Sequence, residues 1–109
     1  ELKHGPIALV DDKTPIVILA PHDSWFEKSA SNMSEVMARG GQVIFITDTE
    51  GVKHAPEGAK VVVTAPASDP LVSTLVMSAP IQLLAYHVAV VKGADVDQPR
   101  NLAKSVTVE

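Results

Sequence analysis

An α/β fold with a parallel sheet is what this 109-residue chain predicts, and three observations predict it. Three short runs are near-continuously apolar and rich in Val and Ile: 15–21 (PIVILAP), 42–48 (QVIFITD) and 61–66 (VVVTAP). That is the pattern of strands buried on both faces. A helical stretch separates the first two runs, making a β-α-β crossover, and such crossovers give right-handed parallel pairs. A long apolar stretch follows the third run. The expectation is three αβα layers, with helices on both faces of the sheet. Three strands are few, since such sheets commonly hold about 4–6. Further strands are therefore expected before Glu1, so that the domain reads as N-terminally truncated.

Each element has its own signals. Ser24 and Glu27 form the Ser-x-x-Glu pattern of a capping box, which satisfies free N–H groups at a helix start. Phe26, Ala30, Met33 and Met37 follow at helical spacing and give one apolar face. Gly40 and Gly41 end that helix. Residues 49–60 are polar, with two glycines and a proline, and are expected to carry little regular structure. Asp69 and Pro70 suit the N-cap and first turn of the next helix, which runs to Lys92 and ends at Gly93. Pro80 lies inside it and is expected to break or kink it. Residues 80–92 then read as a helix apolar nearly all round, which implies burial or an interface. Residues 94–109 have neither period and are expected to be irregular.

Composition narrows the function classes. There are 9 basic and 13 acidic residues, and the basic ones are scattered, so the stripe of a nucleic-acid binder is absent. No cysteine is present, which excludes disulfides, thiolate metal sites and cysteine nucleophiles and agrees with a cytoplasmic setting. No signal-peptide pattern opens the chain. No apolar run is read as reaching the ~20 residues of a membrane span, and no membrane partner is expected. An initial Glu in place of Met suggests a trimmed chain.

Neither a Gly-x-Gly-x-x-Gly nor a phosphate-binding loop nor a His-Glu-x-x-His is present. The four histidines lack metal-ligand spacing, so neither a metal nor an organic cofactor is expected. His22 and His54 fall in loops and should be exposed. His87, mid-helix, reads as a packed histidine with one hydrogen bond. His4 sits beside Lys3 at the start of a helical turn, where it would tend to stay neutral and suit proton transfer near pH 7. Lys104 carries an amine that can attack a ketose carbonyl and form a Schiff base, given a desolvated or cation-flanked pocket. Taken singly, both read as ordinary structural or solvated residues.

Read together, their surroundings change this. The opening ELKHGPIALV resembles the entry to the second sugar-isomerase (SIS) domain of the isomerising glutamine:fructose-6-phosphate aminotransferases, the glucosamine-6-phosphate synthases. PIQLLAYHVAVVKG (80–93) is similar to that family's last helix, and DVDQPRNLAKSVTVE (95–109) to its C-terminal tail. Residues 11–79 match in pattern rather than in motif. The resemblance implies that 1–93 is the C-terminal portion of a flavodoxin-like SIS domain and that 94–109 is a tail closing the sugar site.

It further implies conversion of fructose 6-phosphate and glutamine-derived ammonia to glucosamine 6-phosphate, for amino-sugar biosynthesis, without metal or cofactor. The parent would be a homodimer carrying a glutaminase domain in the same chain. By the resemblance, Lys104 forms the imine with open-chain sugar. His4 assists ring opening from the neighbouring subunit, and the backbone at Ala103 touches the sugar. The family's carboxylate base and its phosphate-binding loops fall before Glu1, so this stretch by itself is expected to be inactive. Two other readings share the fold: a non-catalytic sugar-phosphate-binding SIS module, which needs no imine-forming lysine, and a structural dimerisation piece built on the apolar helix.

Overall fold

The three apolar runs pair as one parallel sheet in a computed structural model, which describes residues 1–59 and 61–98. The strands are β1 (Pro15–Leu19), β2 (Gln42–Asp48) and β3 (Val61–Ala65), in the order β1-β2-β3. Ile16 pairs with Val43, and Ile46 with Val63. Two helices, α1 (Phe26–Ala38) and α2 (Pro70–Val91), complete the three layers.

Strand alternation sends neighbouring side chains of β2 to opposite faces. Val43 and Phe45 pack with Ala20 and with Phe26, Met33 and Val36 of α1. Ile46 packs with Ala65 and with Met77 of α2. Five of the side chains beneath α1, namely Phe26, Met33, Val36, Val43 and Phe45, are at most 2% exposed. Burial on that scale contributes about 1.5–3 kcal/mol for each large side chain.

Helix α1 has the expected apolar face, to which Val36 is added, but its entry differs from the capping box. Trp25 is the N-cap, and its side chain makes no capping bond. Instead, Asp23 accepts from the Trp25 N–H through Oδ1 (2.8 Å) and from the Phe26 N–H through its carbonyl (3.1 Å). The aspartate turn comes first in the chain, and the helix starts at Phe26 with Trp25, not Ser24, as its N-cap. Gly40 (φ 85°) follows the helix in the left-handed conformation that glycine adopts without strain.

The segment expected to be irregular holds a short 3-10 turn, Gly51–His54. Helix α2 starts as expected, with Asp69 Oδ1 accepting from the Leu71 N–H at 2.9 Å. It does not break at Pro80 but continues for 22 residues. The uncharged stretch is therefore longer than the sequence reading allowed. By length and composition alone α2 could cross a membrane. Here, Met77 and Val76 pack it against β3 and β2 instead. Met77 is its one buried residue. His87 is exposed, with its ring edge-on to Tyr86 (5.3 Å), rather than packed and hydrogen-bonded, as are most residues at this end of the helix.

Candidate functional site

His4 lies on a single 3-10 turn, Leu2–His4, closed by the His4 N–H donating to the Glu1 carbonyl at 2.9 Å. The preceding side chains anchor this turn. Leu2 packs against the core beneath α1, and the Lys3 ammonium lies 2.6 Å from the Glu35 carboxylate on α1. A second 3-10 turn follows, Pro6–Leu9, started by the Ala8 N–H donating to the Gly5 carbonyl (2.9 Å). Val10 then returns to the same core, and Gln42 Nε2 donates to the Asp12 carbonyl. The backbone at His4 is thus tied down on both sides while its imidazole is exposed. The Lys3 ammonium beside His4 is paired with Glu35.

The carboxyl ends of the strands form a second arrangement. Asp48 closes β2 and turns its carboxylate back on the chain. Its Oδ2 accepts from the His22 N–H (2.8 Å), and its Oδ1 accepts from the Glu50 (3.0 Å) and Gly51 (2.8 Å) N–H groups. Burial pushes this carboxyl up, but the three backbone donors outweigh it and hold Asp48 below the usual carboxylate range. Nearby, Lys53 donates to Glu50 and lowers that carboxyl in turn.

His22 and His54 are exposed, as expected, but they also stack on each other (centroids 4.8 Å apart, 15°) over Phe26. A cavity of about 390 Å³ opens beside them, lined by Ser24, Trp25, Asp48, Ser68 and Ser73 among others. Among the described residues, the buried Ser68 Oγ has no partner. The sequence reading missed Asp48. Its signal was an aspartate ending a strand three residues before a glycine, a pattern that caps a turn.

Lys104 and Ala103 lie outside the described residues. The described chain leads up to them past a cavity of about 790 Å³ at the end of α2, bounded by Tyr86, Lys92, Val96 and Gln98. Asp95 Oδ1 shapes this turn by accepting from the Asp97 and Gln98 N–H groups (2.9 and 3.0 Å). Among the described residues no group of three or more His, Asp or Glu is gathered as a metal site.

A parallel sheet between α1 and α2 is the frame of a sugar-isomerase domain, and residues 1–92 match the SIS domain family. Within that class the chain belongs to the isomerising glutamine–fructose-6-phosphate aminotransferases. It is 96% identical over all 109 residues to the protein of that name from Caulobacter vibrioides and 60% identical to that of Zymomonas mobilis. It is also 58% identical to that of Sphingobium yanoikuyae, of which it covers 70%. The solved C-terminal domain of glucosamine-fructose-6-phosphate aminotransferase from Francisella tularensis superposes with a TM-score of 0.85 at 44% identity, over 90% of this chain and 28% of that one. The chain spans 18% of the length of the Caulobacter and Zymomonas relatives.

Proposed function

We propose that this chain works within a longer polypeptide as the second SIS half and closing tail of a glucosamine-6-phosphate synthase. That enzyme would join ammonia from glutamine to fructose 6-phosphate and isomerise the product to glucosamine 6-phosphate. The observation that carries this reading is the identity with the Caulobacter aminotransferase across the whole chain, at a level that leaves little room for a different activity.

In this reading, the Lys104 amine attacks the C2 carbonyl of open-chain fructose 6-phosphate and expels water to form an imine. The imine makes the C1 proton acidic, and a base moves it to complete the ketose-to-aldose shift. The base and the phosphate ligands come from residues outside this chain. His4 gives or takes the proton that opens the sugar ring, for the site of a neighbouring subunit. Its exposure, on a turn anchored at both ends, supports that assignment. Residues 94–109 close over the sugar through the backbone at Ala103, and the parent acts as a cytoplasmic homodimer without a cofactor.

The full-length parent, incubated with fructose 6-phosphate and borohydride, should gain the mass of one reduced sugar on the peptide holding Lys104, and Lys104→Ala should abolish both adduct and synthesis. Synthesis at the wild-type rate in that variant would overturn the assignment. A purely structural, dimer-forming role is favoured by one observation, the exposed apolar surface of α2, and predicts no adduct.

A further inference from the structure

The ion pair between Lys3 and Glu35 stands apart from the core and next to the group assigned to ring opening. We propose that Glu35, acting through Lys3, is a positioning residue that sets the direction of the His4 imidazole. This inference rests on the reading of His4 as a proton-transfer group.

A 3-10 helix turns once every three residues, so successive side chains point about 120° apart. The three residues of this turn take three different directions: Leu2 into the core, Lys3 onto α1 and His4 into solvent. One anchor would leave the turn free to rotate about it. Two anchors fix the rotation, and with it the bearing of the third side chain.

The turn has no side-chain cap, and Gly5 follows it at once. Stability is not what the pair supplies. Its partners are 53% and 35% exposed, and exposed ion pairs contribute little to folding. With its ammonium held by Glu35, Lys3 is not free to bind a substrate phosphate.

The test uses the full-length parent. Lys3→Met and Glu35→Gln should each lower kcat about tenfold, less than the ~100-fold that a 1 Å misplacement can cause, because Leu2 still holds the turn. KM for fructose 6-phosphate and the melting temperature should stay unchanged. The double variant Lys3→Glu/Glu35→Lys should recover most of the lost kcat. Lys53→Met, which breaks the other exposed pair, should change nothing.

Wild-type kcat in both single variants, with His4→Asn slow, would overturn the positioning role while leaving the reading of His4 intact. A double variant no faster than the singles would also overturn it. Wild-type kcat in His4→Asn would remove the reading on which it rests, and the inference with it.

Discussion

The two faces of the sheet share their strands but close differently. Beneath α1, Phe45 and Val43 meet Met33 and Val36, and none of the four is exposed. Across the sheet, α2 buries only Met77, while Leu71 and Leu75 stand 91% and 72% exposed and Val17 and Leu19 of β1 remain partly open. The cause lies in the helices. α1 is amphipathic: its apolar stripe goes inward, and Glu27, Lys28, Ser31 and Glu35 line its other side. α2 has no charged residue and no polar face to give to water. A helix of that kind is a component of a larger packed structure, which agrees with a chain that spans 18% of the length of its Caulobacter relative.

The largest test of this contrast is in the α1 core. Phe45→Ala removes the largest fully buried side chain and should cost about 3–5 kcal/mol, read from denaturant unfolding of the parent enzyme. A loss below ~1 kcal/mol would mean that this face is not the completed core described here.

Gly51→Ala comes next. Its Cβ would overlap the Thr47 hydroxyl and press on Phe26. Thr47 cannot easily give way, because it is buried and donates to the Ala20 carbonyl at 2.7 Å. Overpacking of this kind should cost about 1–3 kcal/mol, and a neutral result would show that the loop after β2 can move off the core.

How much of this was legible depended on whether a feature was periodic. Near-continuous apolar runs marked all three strands, and glycines 40 and 93 marked both helix ends. What was missed depends on contacts between distant residues or on competition between neighbouring signals. Asp23 and Ser24 both offer helix-start chemistry, and only the folded turn shows that Asp23 makes the bonds. Pro80 signals a break, but a helix can lose one backbone hydrogen bond where packing such as that of Met77 and Val76 holds it. The His22–His54 stack joins residues 32 positions apart, with no local trace. Beside His4, the Lys3–Glu35 pair was not legible, because nothing in the sequence places α1 beside the first turn.

Asp48 links the two faces at their carboxyl edge, and its effect depends on pH. Asp48→Asn exchanges a charged acceptor of three N–H bonds for a weaker neutral one and should cost about 1–3 kcal/mol at pH 7. The folded-state pKa lies below the ordinary 3.8. The contribution is therefore fully present above that value and is lost as pH falls through the lower folded-state pKa. The wild-type advantage over the variant should shrink steadily below about pH 4. A gap between the two proteins that stays constant down to pH 2 would show that the carboxylate's charge is not what holds the loop.

Leu75→Ala should have the smallest effect and bears most directly on the contrast. As described here, the side chain is mostly in water, and truncating it should change stability by less than about 0.5 kcal/mol. The same substitution measured in this chain and in the full-length parent separates two properties that a single measurement would merge. A small effect in both makes α2 a solvent-facing helix despite its composition. A small effect here with a loss of about 1.5–3 kcal/mol in the parent, the range for burying a leucine, would mean that the α1 face is completed by its own chain and the α2 face by residues outside it.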